Sequence, residues 1–341
     1  MKKILVTGGV GYLGSHTVVE LLNKGYEVSI IDDLSNSRAE VLDAIFKITG
    51  KRPEFVEMNL CNKSHVESFF DNHTIDAIIH FAAFKAVGES VEKPLKYYRN
   101  NLLSLINLLE VVEERKLDNF VFSSSCSVYG HTEIMPVHEK LPLPEPESPY
   151  AHTKQIGEKM VEEVVRVAKV NANVLRYFNP AGAHNSALIG EYPLETPNNL
   201  VPVITQTAAG KRSSFTIYGN DYSTPDGTCI RDYIHVVDIA RAHVVAIERM
   251  MNKKNKSNFE LFNLGTGHGN SVLEVINAFE KTNGIKLNYT IGKRRPGDVE
   301  KVWADTTLAN SELGWKSEFS LDEIMRSAWK WELALNEKII S

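Results

Sequence analysis

Cysteine is scarce in this chain: Cys61, Cys126 and Cys229 stand far apart, odd in number and without a CxxC pair. Such sparing use excludes a disulfide framework and fits a reducing compartment. Long apolar runs are missing too, since no window reaches the roughly 18 consecutive apolar residues of a membrane-spanning helix. The opening Met1–Val6 gives way at Thr7-Gly8-Gly9, too soon for the apolar region of a signal peptide, so a buried strand and a cytoplasmic location are expected. There is no basic excess: 38 Lys and Arg face 43 Asp and Glu, a net charge of −5. That balance argues against a broad nucleic-acid or anionic-membrane surface. Neither HExxH nor a His/Cys cluster at ligand spacing occurs, so no metal is expected. What remains is a chain of 341 residues, 43% hydrophobic and 24% charged. A core of ordinary globular kind can form from it without staples.

The first half alternates short apolar runs with segments of helical period. Strands are expected at Ile4–Thr7, Glu27–Ile31, Glu54–Glu57, Ala77–Phe81, Asn119–Ser123 and Asn173–Phe178. Between them, stretches such as Val18–Leu22 and Leu102–Leu109 repeat apolar residues at helical spacing. Strands apolar on both faces, alternating with helices, predict an α/β fold with a doubly wound parallel (Rossmann) sheet. Ligands of such sheets bind beyond the carboxyl ends of the strands. After about residue 180, Pro193–Asn199 and Gly219–Gly227 read as loops. Helical patterns return at Val237–Met250, Val272–Lys281 and Leu321–Leu333. The expected division is a dinucleotide-binding domain over 1–180 with a return segment near 232–265. The remainder of 181–341 is expected to form a smaller C-terminal α/β lobe that binds substrate.

Thr7-Gly8-Gly9-Val10-Gly11-Tyr12-Leu13-Gly14 leaves the first strand and opens a helix. Glycines at 8, 11 and 14 allow a tight turn and let backbone N–H groups approach a pyrophosphate. Close strand-to-helix packing alone would also use such glycines. The context decides, because Asp32 ends the next strand, 18 residues after Gly14. A carboxylate there accepts from a ribose diol and repels a 2′-phosphate, favouring NAD over NADP. Ser123-Ser124-Ser125 ends a later strand, and Tyr150 and Lys154 follow on one helix face behind Ser148-Pro149. A phenol must fall about three units, roughly 4 kcal/mol, to act as a base near neutral pH. The Lys154 ammonium and a nicotinamide cation are the groups expected to lower it, with Ser125 steadying the same substrate oxygen. A Tyr-x-x-x-Lys pair alone is commonplace on helix surfaces; behind a dinucleotide turn and a serine strand end it is the expected dehydrogenase triad.

Together these motifs resemble the extended short-chain dehydrogenases/reductases. Within them the chain is similar to the UDP-glucose 4-epimerase family over nearly its whole length. The narrowing segments are His80–Ser90, Arg176-Tyr177-Phe178-Asn179-Pro180, Pro197-Asn198-Asn199-Leu200, Arg231–Val236 and Arg294-Arg295-Pro296-Gly297-Asp298. The resemblance implies C4 epimerisation of a UDP-hexose through a 4-keto sugar, with NAD retained between turnovers. It implies NAD contacts from Tyr12, Leu13, Asp32, Asp33, Leu34, Ser35, Asn36, Ser37, Asn59, Leu60, Phe81, Ala82, Ala83, Phe84, Lys85, Asn100 and Phe178, beside Ser123, Tyr150 and Lys154. For the UDP-sugar it implies Lys85, Ser125, Tyr150, Tyr177, Asn179, Asn199, Leu200, Tyr218, Arg231, Tyr233, Arg295, Asp298 and Val302. A dimer built on the Leu102–Leu109 and Tyr150–Val165 helices is likewise implied.

Two positions depart from the family pattern. Asn59 stands where an aspartate usually faces the adenine amino group, and its carbonyl can still accept that bond. Small Val302 stands where a bulky tyrosine restricts the sugar pocket, so turnover of UDP-GlcNAc and UDP-GalNAc is expected as well; otherwise the valine merely packs the wall. Arg231 and Arg295 are expected on the pyrophosphate, because a sugar that must turn cannot carry the affinity. Otherwise Arg231 would pair with Asp232, and Arg295 would join a solvated cluster with Lys293 and Arg294. The four tryptophans and His16, His80, His184 and His235 are assigned structural roles, and Cys126 no chemistry. A nucleotide-sugar 4,6-dehydratase is the nearer alternative, but Cys126-Ser127 occupies the place of its Asp-Glu pair. A non-catalytic NAD-sensing protein on the same fold has no need of Ser125, Tyr150 and Lys154.

Overall fold

The computed structural model describes residues 1–194, 196–295 and 297–340. Glu195 of the Pro193–Asn199 stretch and Pro296 of the Arg-Arg-Pro-Gly-Asp motif lie outside the described residues. The first half runs β1 (Lys3–Thr7), α1 (Tyr12–Asn23), β2 (Glu27–Asp32), α2 (Val41–Thr49), β3 (Glu54–Glu57), α3 (Lys63–Asn72) and β4 (Ala77–His80). It continues through α4 (Val87–Glu92), α5 (Pro94–Arg115), β5 (Asn119–Ser125), α6 (Pro149–Ala168) and β6 (Asn171–Tyr177). All six expected strands are present within two residues of their expected ends; the apolar runs of β1, β2, β4, β5 and β6 are buried, while β3 at the sheet edge is only partly so.

A seventh strand, Phe259–Leu264, joins the parallel sheet beside β6, giving the order 259–264, β6, β5, β4, β1, β2, β3. Its sequence conceals it, since Glu260 and Asn263 interrupt the apolar pattern. Both are nevertheless buried and paired: Glu260 takes Arg249 Nε and Nη2 at 2.7 and 2.9 Å, and Asn263 takes the Tyr129 hydroxyl at 2.7 Å. Paired polar groups are tolerated in a core strand.

The chain moves outward from β1 to β2 and β3, then returns to β4 on the other side of β1. This reversal opens the crevice above the carboxyl ends of β1 and β4 where ligands of such sheets sit. The helix Val236–Met251 covers α1. Helices Leu200–Ala208, Val272–Asn283 and Leu321–Ile340 pack around Ile204, Phe279, Ile324 and Met325, with a two-stranded sheet of Phe215–Tyr218 and Tyr289–Gly292. A Ser271–Glu274 capping box sets the start of Val272–Asn283. Trp315 and Trp331 are buried. Among the described residues no helix is long and apolar enough to cross a membrane.

Candidate active site

The turn after β1 is closed by contact. Gly8 has φ +70°, and a Cβ there would lie 2.8 Å from the Ala82 nitrogen. A Cβ on Gly14 would lie 2.1 Å from the Gly8 carbonyl oxygen, so α1 begins directly against the turn. Gly11 caps α1 without any side-chain bond, which leaves first-turn N–H groups free for an anion. At the end of β2 the Asp32 carboxylate accepts from Val10 N (3.3 Å), Leu34 N (3.0 Å) and Ser37 Oγ (2.7 Å). Burial raises its pKa against those bonds. Leu34 is held at φ +57°, a left-handed conformation that costs about 1–2 kcal/mol outside glycine. Asp33 accepts from Ser35 N and from Asn59 Nδ2 at 2.9 Å, while Asn59 Oδ1 accepts from Cys61 N at 2.8 Å. Asn36 is exposed on the same loop.

Beyond β4, Phe81 packs on His243, Ala82 N donates to Thr7 Oγ1 at 3.4 Å, and Phe84 N to Asn101 Oδ1 at 2.9 Å. Asn100 donates to the same Asn101 oxygen. Two of the expected NAD contacts, Leu60 and Phe178, sit inside apolar clusters. Leu13 packs partly buried against the core. The Tyr12 hydroxyl donates to the Gly182 carbonyl at 2.6 Å. Lys85 and Asn199, from opposite halves of the chain, meet on Glu191 at 2.9 and 3.0 Å. No pattern in the sequence marks Glu191.

The catalytic candidates converge at the end of β5. Ser148 Oγ accepts from Ala151 N at 3.2 Å and starts α6, which carries Tyr150 and Lys154 inward on one face. The Ser125 side chain lies close enough to the Tyr150 phenol to oppose the rise of its pKa, and its Oγ accepts from Ser127 N at 3.2 Å. Lys154 Nζ donates to the Ser123 carbonyl at 2.7 Å and lies 5.9 Å from the centre of the Tyr150 ring. Ser123 Oγ bonds the Tyr177 hydroxyl.

Burial pushes the Tyr150 phenol up to about 12, with the Ser125 bond opposing it, and pushes the Lys154 ammonium down to about 8. Lys154 is aimed at a backbone carbonyl, so it does not by itself bring the phenol toward neutrality. Cys126 is pushed up to about 12 by burial, in keeping with a thiol that does no chemistry. His80 bonds Thr7 Oγ1 at 2.8 Å, and His235 caps Val237 N at 3.1 Å.

On the substrate side Arg231 does not pair with Asp232, while Lys293, Arg294 and Arg295 are all exposed. Asp232 spends its carboxylate on Thr266, Gly267 N and Ala304 N. Arg294 turns to Asp221 and over the Tyr222 ring. Arg231 and Arg295 instead share Asp298, at 4.0 and 2.7 Å, with Arg295 over the exposed Tyr218 ring. Asn179 Oδ1 is buried without a hydrogen-bond partner among the described residues, an acceptor open to a donor. Tyr233 is buried in the C-terminal lobe and Leu200 packs partly buried against it. Val302 is buried among Val128, Tyr129, Val137, Phe178 and Ala304. Among the described residues no group of three or more His, Cys, Asp or Glu is placed to hold a metal.

A family model described as GDP-mannose 4,6 dehydratase matches residues 5–328. UDP-glucose 4-epimerase of Bacillus subtilis is 48% identical over 334 residues, covering 96% of each chain. The crystal structure of UDP-glucose 4-epimerase from Stenotrophomonas maltophila, with NAD and formylated UDP-arabinopyranose, superposes with a TM-score of 0.95 at 43% identity. That match covers 99% of this chain and 100% of the other. The Bifidobacterium longum enzyme, in complex with NAD+ and UDP, gives 0.93 at 43% identity over 98% of both chains.

Proposed function

The chain belongs to the UDP-glucose 4-epimerase family, and from that premise we propose that Tyr150, Lys154 and Ser125 carry its chemistry. The reaction is the reversible inversion of the C4 hydroxyl of a UDP-hexose, and NAD is the cofactor. The residues fit that cofactor: Gly8, Gly9 and Gly14 leave no room for a Cβ, α1 opens uncapped above the turn, and Asp32 stands at the crevice end of β2. When bound, NAD supplies an acceptor for the C4 hydrogen and, oxidised, a positive charge on its nicotinamide. Tyr150 holds or takes the C4 hydroxyl proton. Ser125 bonds that same oxygen and steadies it as the proton moves. Lys154, fixed on the Ser123 carbonyl, keeps a cation beside the phenol. The closed turn and the triad on one crevice rim carry this reading.

Arg231 and Arg295 grip the UDP diphosphate, and Asn179, Asn199, Tyr233 and Asp298 bind the remainder. Held by its nucleotide, the sugar is free to present its other face. Small Val302 leaves space for a 2-acetamido group, so UDP-GlcNAc and UDP-GalNAc are interconverted too. Residues 1–180 with 232–265 serve the cofactor, and the rest serves the substrate. The chain works in the cytoplasm as a dimer joined along α5 and α6, a reading supported by the stripe of exposed Leu95, Leu103 and Ile106 on α5. The dehydratase reading fails on Cys126 and Ser127, which offer neither acid nor base.

The test is incubation of purified protein, without added NAD, with UDP-glucose and UDP-GlcNAc separately, resolving the epimers. Both pairs should interconvert. Tyr150→Phe should cut kcat by about 10²–10⁴ while NAD stays bound. Full activity in that variant would remove Tyr150 from the mechanism. Loss of a C6 oxygen from the product would restore the dehydratase.

A further inference from the structure

The inward face of α6 does not end at Lys154. Tyr150, Lys154 and Glu158 are spaced four residues apart and lie on one stripe. The Glu158 carboxylate is buried and takes Arg176 Nε at 2.8 Å and Nη2 at 2.5 Å, with the Ser124 hydroxyl on the same oxygen as Nε. Arg176, on β6, stands directly opposite Ser124 in the sheet register. Its remaining nitrogen donates to the Tyr129 hydroxyl at 3.0 Å, and Tyr129 donates onward to Asn263. Asn263 Nδ2 donates to the Val137 carbonyl at 3.0 Å, and Val137 is bonded to Trp303 and Asp305 on either side of Ala304.

A dry ion pair is a poor source of stability, because desolvating both charges cancels most of their attraction. An apolar pair of equal volume would fold α6 onto β5 and β6 at least as well. What apolar residues would lack is direction: a two-point fork fixes the helix along its axis and about it. We propose that the Glu158–Arg176 pair is a positioning device for epimerisation, locking α6 so that Lys154 meets the Ser123 carbonyl and Tyr150 meets Ser125. Through Tyr129, Asn263 and Val137 it also ties that alignment to the segment that carries Val302. The inference rests on the functional reading above.

Glu158 has a second effect, on charge. Among the described residues, the titratable groups that act on Lys154 are Tyr150 and Glu158 on α6 and His80 on β4, with Arg176 on β6 beyond Glu158. Glu158 is the anion among them, and its field supports the ammonium against burial. Without it, Arg176 is left as an unopposed cation, and Lys154 loses its proton at lower pH.

The experiment compares the NAD-loaded parent with Glu158→Gln and with the paired Glu158→Gln/Arg176→Met, whose buried charges are both gone. Read-outs are melting temperature, bound NAD, kcat, KM for UDP-glucose and the pH profile of kcat. In Glu158→Gln, kcat should fall at least about tenfold with KM within about threefold, and the alkaline limb should move to lower pH. The paired variant should melt near the parent or above it and stay slow, which separates alignment from folding. Should Glu158→Gln not fold, the paired variant alone decides. A folded, NAD-loaded variant with kcat within about twofold of the parent and an unmoved alkaline limb overturns the proposal. So does a fall in kcat that only follows the loss of folded protein. A parent that does not epimerise UDP-glucose overturns the functional reading instead, and this proposal with it.

Discussion

Adding one methyl group at Gly14 should uncouple the first helix from the cofactor turn. The added Cβ would stand 2.1 Å from the Gly8 carbonyl oxygen and 2.7 Å from Gly9 Cα, where ordinary contact begins near 3.4 Å. Both obstructing atoms belong to backbone, and the Gly8 side of the turn is itself pinned against Ala82. Relief therefore requires α1 to retreat by about 1 Å along a face buried through Val18, Val19, Leu21 and Leu22. Overpacking of this kind costs about 1–3 kcal/mol, which lowers the melting temperature of a chain this size by about 1–4 °C. The larger effect falls on the cofactor. Displacing N–H donors from a charged pyrophosphate loses about 1.5–3 kcal/mol, a roughly 10–100-fold weaker Kd. The assay is NAD content after purification and Kd by fluorescence titration for Gly14→Ala. Gly88→Ala in α4 is the control, because its Cβ would meet nothing within 4 Å; it should be neutral or slightly stabilising. A Gly14→Ala protein that keeps its NAD and melts with the parent would refute the packing argument.

Arg231→Gln should raise KM for UDP-glucose about 10–100-fold with kcat within a few-fold, as for an interaction used equally in ground and transition states; an unchanged KM would remove it from the diphosphate. Val302→Tyr should abolish UDP-GlcNAc turnover and spare UDP-glucose, measured as the ratio of the two kcat/KM values. Burial holds the imidazoles of His16 and His80 neutral down to about 3, and those of His235 and His243 down to about 4. The unfolded chain protonates the same groups near pH 6.5, so it binds more protons between those limits. Stability should be fully present above about pH 6.5 and fall as pH drops toward 4. Urea unfolding at pH 7 and pH 5 measures this, and equal midpoints would contradict it.

Much of this was legible because the chemistry is local in sequence. A strand, a glycine turn and a helix lie within about twenty residues, and Tyr150 and Lys154 need only one turn of helix to share a face. Glu158 was within reach of the same periodicity, one turn further along, but a lone glutamate on a helix carries no signal until Arg176 is placed beneath it. The strand Phe259–Leu264 was hidden because its polar residues are satisfied by Arg249 and Tyr129 from distant segments. The meeting of Lys85 and Asn199 on Glu191 depends on how two loops fold toward each other, which no spacing records. The direction of Lys154 was also beyond sequence: helical period brings it to the face of Tyr150, while the carbonyl of Ser123 decides where its ammonium rests.

Asp298 would give the proposed diphosphate grip an internal competitor. With the guanidinium groups of Arg231 and Arg295 already leaning on one carboxylate, a nucleotide held as proposed would trade partners with the protein and would not fill a bare positive hole. Net gain per visit is thereby capped, and the same carboxylate stands ready to reclaim the arginines as the nucleotide departs. A catalyst of a reversible interconversion would profit from that arrangement, since it would ease the release of either epimer.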